Sequence, residues 1–213
     1  KLPFMRKGKN AFTRTGLLFF ALTILSVVDI YSQNTSYNAN TIPIGGSNSV
    51  GIWFQALNAN TGTSNTANGY QALRFNSTGF FNTANGYQAL YSNTTGVSNT
   101  AIGYQALYNN TTGNNTAYGH QALFSNTTGG LNIAFGPQAL YTNTTGNYNT
   151  AYGSSALYYN NGYWNTATGT SALYNNTSGD YNAAYGPGSL YSNTTGSNNS
   201  AYGLNALRDN TTG

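Results

Sequence analysis

Hydrophobic and polar positions form a 17-residue sequence unit that repeats from Asn65 to the end of the chain. The unit reads N-T-A-x-G-Y-Q-A-L-Y-x-N-T-T-G-x-x, and we number its positions 1 to 17 from the first asparagine. A fixed period of this length is typical of a solenoid, in which each repeat forms one coil. Two copies have 16 residues, and position 1 falls at Asn65, Asn82, Asn99, Asn115, Asn132, Asn149, Asn165, Asn182 and Asn199.

Positions 5 and 9 are identical in all nine copies, and they predict a turn and a core. Glycine at position 5 permits a positive φ or a close backbone approach. Leucine at position 9 is the obvious core residue. The glycines are Gly69, Gly86, Gly103, Gly119, Gly136, Gly153, Gly169, Gly186 and Gly203. The leucines are Leu73, Leu90, Leu107, Leu123, Leu140, Leu157, Leu173, Leu190 and Leu207.

The pattern predicts an all-β fold, a parallel β-solenoid of about ten coils. Each unit reads as two short strand-like stretches separated by glycine or asparagine turns. One unit cannot bury its leucine alone, so we expect coils stacked about 4.8 Å apart. Stacking aligns a Leu and Ala core, a Tyr stack and Asn ladders. The alternatives are a disordered Tyr- and Asn-rich segment and a helical repeat, which the abundant glycine disfavours.

Residues 1–32 predict a secretory signal peptide with an upstream extension. A basic start precedes an apolar run from Leu17 to Val28, and Ser32 suits the residue before a cleavage site. The run is shorter than the roughly 20 residues that span a bilayer. An uncleaved anchor is the alternative. Met5 is the expected start of translation.

The remaining chain divides into three segments. Residues 33–47 are a lead-in, and residues 48–64 are a degenerate capping coil that keeps the Gln-Ala-Leu core of the unit. Terminal repeats are commonly atypical, because one face lacks a neighbour. Residues 65–213 hold the nine regular copies and end inside a repeat, so we expect the natural protein to continue.

Charge is nearly absent, which changes what the chain is expected to bind. Only 5% of residues are charged, and beyond residue 32 Arg74 and Arg208 balance Asp180 and Asp209. A charge repeated in every coil would repel its own copies. The sequence pI of about 9.2 therefore belongs to the leader, and we expect no nucleic-acid partner and no membrane insertion of the mature chain. The absence of cysteine removes disulfides and lipoprotein anchoring.

Residues for catalysis or metal binding are scarce. The one histidine, His120, stands at position 6, where other copies have tyrosine, so a substitution in the tyrosine column is favoured over a base or a metal ligand. Without cysteine or glutamate, neither a zinc tetrad nor a calcium cage can be assembled. We predict that the protein is not an enzyme and has no cofactor or metal.

The phrase N-T-T at positions 12 to 14 also reads as a glycosylation sequon. Asparagine, threonine and glycine together equally favour a turn, which is the interpretation preferred here. The candidate asparagines are Asn76, Asn93, Asn110, Asn126, Asn143, Asn176, Asn193 and Asn210.

At "NTAIGYQAL" and "NTANGYQALYSNTTG" the sequence resembles the head repeats of trimeric autotransporter adhesins and the related repeats of bacterial tail-fibre-domain surface proteins. The likeness covers residues 48–213. It implies a left-handed parallel β-roll, three chains packed into a fibre, and binding to host or environmental surfaces. The unit here is longer than the one adhesin heads commonly use, which implies a different coil cross-section.

We therefore predict an exported structural or adhesive fibre protein, secreted or on the cell surface. It would form a homo-oligomer, a trimer or a filament, and bind surface glycans or other surfaces through many weak, identical contacts. Position 4 becomes mostly aromatic toward the C-terminal half, which is typical of an interface if the side chains point outward. The candidate contact residues are Tyr70, Gln71, Tyr87, Gln88, Tyr104 and Gln105.

Two other functions also fit the sequence. Threonine columns from Thr66, Thr83, Thr100 and Thr116, beside Thr94-Thr95 and Thr111-Thr112, could form the regular array of an ice-binding solenoid. An extracellular filament subunit, with or without a glycan coat, would have a mechanical role and need no receptor.

Overall fold

The computed structural model describes residues 34–37 and 48–213 of the chain. They form an all-strand parallel β-solenoid of about nine turns, with coils of roughly 17 residues, which confirms the predicted fold class. The predicted signal peptide, residues 1–32, and the lead-in outside residues 34–37 lie beyond the described residues. Within the described ranges there is no helix with the length and apolarity needed to cross a membrane.

One parallel sheet runs the length of the solenoid, with its strands in chain order. Equivalent residues pair in register, so that Ala67 lies opposite Ala84, and Ala84 lies opposite Ala101. The strands are β1 (Asn34–Tyr37), β2 (Ser49–Ile52), β3 (Thr66–Asn68), β4 (Thr83–Asn85), β5 (Thr100–Ile102), β6 (Thr116–Tyr118), β7 (Ile133–Phe135), β8 (Thr150–Tyr152), β9 (Thr166–Thr168), β10 (Ala183–Tyr185) and β11 (Ser200–Tyr202).

Each regular coil has one three-residue strand, so the prediction of two strand-like stretches per unit is wrong. Consecutive turns replace the second stretch. The backbone N–H of Ala72 donates to the Gly69 carbonyl at 3.1 Å, and Gln71 between them has a φ of +58°. A positive φ at the third residue defines a type II turn, which usually needs glycine there. Leu73 follows with a φ of +49°.

The core is narrow and matches the predicted residues. Alanines at positions 3 and 8 and leucines at position 9 are fully buried through most coils. Leu207, in the last coil, is 51% exposed because no further coil packs on it in the structure. Truncating one of the interior leucines to alanine would typically cost about 2–5 kcal/mol.

Two asparagine ladders line the same core, as the sequence predicts. The Nδ2 of Asn126 donates to Oδ1 of Asn110 and to the carbonyl of Gly129, each at 2.8 Å. At position 1, the backbone N–H of Asn82 donates to Oδ1 of Asn65 at 3.0 Å. These amides satisfy buried carbonyl groups that a strand-poor coil leaves without a sheet partner.

The two 16-residue copies lose their residue in the turn after position 12. In a 17-residue coil, the position-12 asparagine binds the carbonyl three residues later, as Asn126 does with Gly129. Asn110 binds the carbonyl of Thr112 and Asn160 binds that of Gly162, each only two residues later. The shorter turn keeps both ladders in register.

The first coil departs from the predicted boundary by one residue. Ser49, rather than Asn48, takes position 1, and its hydroxyl accepts the backbone N–H of Asn65 at 3.1 Å. Trp53 stands where the regular coils have glycine and has a φ of +90°. Before this coil, β1 pairs in parallel with β2, so residues 34–37 of the lead-in extend the sheet.

Candidate binding columns on the solenoid surface

Position 4 points outward, which settles the orientation that the sequence leaves open. In each of the strands β3 to β11 the central alanine is buried and the residues on either side face solvent, as in Thr116–Tyr118. Tyr118, Phe135 and Tyr152 stack with ring centres 4.7 Å apart and ring planes within 7°. We call the outward side chains at this position the strand-face column.

A second exposed column occupies position 6, on the far side of the position-5 glycine. Tyr70, Tyr87 and Tyr104 stack with ring centres 5.2 Å apart. His120 continues the stack 5.2 Å from Tyr104, with the ring planes 8° apart. The histidine thus takes a tyrosine's place, and no cluster of three His, Asp, Glu or Cys side chains occurs among the described residues.

The candidate contact residues divide into two groups. Tyr70, Tyr87 and Tyr104 are 38%, 43% and 45% exposed. The glutamines beside them form a ladder, in which Gln88 Nε2 donates to Gln71 Oε1 at 2.8 Å and Gln105 Nε2 donates to Gln88 Oε1 at 2.9 Å. Gln71 is buried, whereas Gln88 and Gln105 are half-buried, so the role of the glutamines as surface contacts stays a prediction.

A third column, at position 10, is half-buried and ends in a cation at both ends. Its rings lie 4.9 to 5.3 Å apart and are Tyr91, Tyr108, Phe124, Tyr141, Tyr158, Tyr174 and Tyr191. The Arg74 guanidinium lies 5.8 Å from the Tyr91 ring centre, and that of Arg208 lies 5.4 Å from Tyr191. Cation–π contact at such sites is worth about 0.5–1 kcal/mol.

The two arginines at the ends of the position-10 column can be found in the sequence, because both replace the aromatic residue at position 10. Their role was not predicted, since the sequence alone does not show that the rings between them form one continuous stack. Arg74 also donates from Nη1 to the Tyr91 hydroxyl at 3.2 Å, which fixes it over the column.

Burial within the position-10 column raises the pKa of three tyrosines. For Tyr108 the largest cause is burial, followed by the neighbouring Tyr91. Burial also comes first for Tyr158 and Tyr174, with Tyr141 and Tyr159 respectively as the next cause. The phenolate form is disfavoured because removing a charge from water costs energy and because adjacent phenolates would repel.

Threonine hydroxyls fall into two sets. Most hydroxyls at position 13 of the turn bind the next coil, as when Thr111 Oγ1 donates to the Thr127 carbonyl at 2.9 Å. The strand threonines Thr66, Thr83 and Thr100 face outward, and their hydroxyls make no hydrogen bond within the described part of the chain. The strand threonines therefore offer hydroxyl groups to a ligand, and so do exposed turn threonines such as Thr78 and Thr128, whose hydroxyls make no hydrogen bond among the described residues.

Seven of the eight candidate glycosylation asparagines lie in the core, and the eighth, Asn210 in the last coil, is half-buried. Asn93, for example, is fully buried, and its Nδ2 donates to Oδ1 of Asn76 at 2.8 Å and to the Gly96 carbonyl at 3.1 Å. A glycan on this nitrogen would displace both bonds, so the folded solenoid does not present these sequons. Turn and ladder chemistry explains why N-T-T recurs.

A further aromatic pair stands at the corner before the strand face. Tyr148 and Trp164, both at position 17, stack with ring centres 4.0 Å apart and are 44% and 51% exposed. Position 17 varies in residue type between copies, so no pattern in the sequence indicates this pair.

Comparison with known proteins identifies no relative of this chain. No protein family, curated protein or solved structure matches the chain.

Proposed function

We propose that the protein is an exported structural or adhesive surface fibre that binds polyvalently through its exposed columns. The observation that carries the proposal is the pair of in-register aromatic columns at positions 4 and 6. In the regular coils before the last, their tyrosine and phenylalanine rings are 38–54% exposed, although the core is already filled by alanine, leucine and asparagine. Exposed apolar surface in continuous stripes marks an interaction site.

The repetition supports many weak contacts in place of one deep pocket. Most coils offer one exposed ring, at position 6 in the N-terminal half of the solenoid and at position 4 in the C-terminal half, so a polymeric partner meets several similar sites at once. Linked sites of this kind raise avidity without any new contact. The columns carry almost no charge, which favours neutral partners such as glycans, and a second copy of the chain would match the spacing for assembly into an oligomer.

Retention on polymer particles tests the proposal. The chain from residue 33 onward is mixed with cellulose, chitin and agarose particles, and the bound fraction is measured. Replacing Tyr70, Tyr87 and Tyr104 together by serine should lower retention about tenfold or more.

The matched control changes three exposed turn residues instead, Thr78, Thr95 and Thr128 to serine, and should bind as the parent does. Equal retention of both variants would contradict the proposal. Ordered polymers without retention on any particle would instead support the purely mechanical filament.

Ice binding is a second candidate, favoured by one observation. Thr66, Thr83, Thr100 and Thr116 place hydroxyls without a hydrogen bond among the described residues on four adjacent, in-register strands of one parallel sheet. Thermal hysteresis of the purified chain would support this function. Loss of the hysteresis in Thr83→Tyr would assign ice binding to the strand threonines. Freezing and melting at one temperature would exclude it.

A further inference from the structure

Between Tyr118 and Tyr202 the strand-face column has one rung without a ring. After Tyr118, Phe135 and Tyr152 the next residue is Thr168, and aromatic rings resume with Tyr185. Tyr152 and Tyr185 are the direct in-register neighbours of Thr168 on the strands at either side. We call the space over Thr168, between these two tyrosines, the Thr168 slot.

The same column shows what size of group fits there. Phe135 lies between two tyrosines, 4.7 Å from the ring centre of Tyr118 and 4.7 Å from that of Tyr152. Thr168 lacks a ring, so the slot leaves the room that Phe135 fills two coils earlier. Tyr152 is 54% exposed and Tyr185 is 38% exposed, against 39% for Phe135, so the additional exposure lies on the Tyr152 side of the slot.

Polar groups line the bottom and side of the slot. Thr166 and Thr168 share strand β9 and are half-buried, and their hydroxyls make no hydrogen bond among the described residues. Trp164 precedes them at the adjoining corner. The nearest acidic group along this coil, Asp180, is engaged with the backbone N–H of Tyr163 at 2.7 Å. The slot therefore combines two aromatic faces with free hydroxyls and no charge of its own.

We infer that the Thr168 slot binds one pyranose ring of a neutral glycan chain. A pyranose has two C–H faces that pack on aromatic rings and a rim of hydroxyls that can bond to threonine. A planar aromatic ring would use the tyrosine faces but leave the threonine hydroxyls without partners, which is unfavourable in a partly dry site. The inference rests on the proposed function, because it names the ligand of the same binding surface.

Filling the slot from within tests this inference. Binding of soluble cellohexaose and chitohexaose is measured by calorimetry and by saturation-transfer NMR. In Thr168→Phe the phenylalanine ring fills the slot and excludes the sugar ring. Hexasaccharide binding should then weaken about tenfold or more, which is the scale of one lost ring-stacking contact. The fold should persist, because Phe135 occupies the equivalent place.

A matched control adds a ring to the same column outside the slot. Ile102→Phe extends the stack beyond Tyr118 and should bind the hexasaccharides within about twofold of the parent chain. Tyr152→Ser and Tyr185→Ser remove one wall each and should both weaken binding. Circular dichroism of every variant confirms that the solenoid is retained.

The outcomes separate this inference from the proposed function. If Thr168→Phe binds hexasaccharides as the parent does, or the parent chain binds none while still adhering to the particles, the slot is not a sugar site and the adhesive function stands. If the parent neither binds hexasaccharides nor adheres, both are wrong. Binding of 2-naphthol in place of the sugars, abolished by Thr168→Phe, would show an aromatic ligand and overturn the sugar assignment.

Discussion

Gly103 shows at the scale of one residue why position 5 never varies. Its φ is +135°, and a Cβ placed there would overlap the carbonyl oxygen of Gly119 in the next coil. Gly103→Ala therefore meets both backbone strain and a backbone clash, and should lower the free energy of unfolding by about 3 kcal/mol or more. Urea unfolding followed by circular dichroism measures the loss.

Gly130 is the matched control for this change. It lies in the coil after Gly103, outside the left-handed region, and an added Cβ would meet the Gly113 carbonyl oxygen at an ordinary 3.4 Å. Gly130→Ala should change stability by less than about 1 kcal/mol. A loss of less than about 1 kcal/mol in Gly103→Ala would show that position 5 does not require glycine.

Left-handed leucine is the residue-scale feature that the sequence does not predict. Leu107 and Gln105 both have a φ of +52°, a conformation that costs a non-glycine residue roughly 1–2 kcal/mol. The backbone N–H of Leu107 donates to the Ala122 carbonyl at 3.0 Å, and that of Gln105 donates to the Tyr87 carbonyl at 2.9 Å. Bonds to both neighbouring coils offset the cost, and no single repeat read alone contains that information.

The position-10 column makes a prediction at the scale of the element. Burial and neighbouring tyrosines raise the pKa of Tyr108, Tyr158 and Tyr174 above the ordinary value of 10.0. The folded state thus holds these protons more tightly than the unfolded chain. Stability should be complete below about pH 10 and fall as pH rises through the raised pKa values.

Urea midpoints between pH 8 and about pH 11.5 measure this dependence, over the range where tyrosine ionises. Tyr108→Phe removes one ionisable hydroxyl and should be tolerated, because the next coil already has Phe124 at this position. In this variant the urea midpoint should fall less steeply as pH rises. A midpoint that stays constant over this range, in the parent chain, would show that the column does not hold its hydroxyls in the neutral form.

The ladders were the most predictable elements, because their residues recur at one spacing. Asn93 and Asn110 bond as expected, and so does the Tyr87 and Tyr104 stack. Periodicity shows which residues are equivalent, but not which way their side chains point. The outward direction of position 4 and the burial of the sequon asparagines therefore came only from the structure. The vacant rung at Thr168 is visible in the sequence only once that direction is known.

At the scale of the whole molecule, coils should behave as exchangeable units. Deleting residues 132–148 removes one complete coil and lets Asn149 take the ladder position of Asn132. Each coil contacts mainly its neighbours, so the shortened chain should fold with slightly reduced stability. Its circular dichroism spectrum should match that of the parent chain.

The control deletes residues 132–139, which is half a coil. This change shifts every later residue out of its column and separates the two asparagine ladders, so we expect loss of the ordered solenoid. Similar folding of the two deletion variants would show that in-register stacking is not what holds the structure together.

Polyvalency is tested most directly by binding at two ligand densities. Chitohexaose and cellohexaose are immobilised sparsely and densely, and the apparent Kd of the chain is measured on each surface. Repeated equivalent columns predict binding about 100-fold tighter on a dense surface. The same apparent Kd at both densities would contradict a polyvalent adhesive surface.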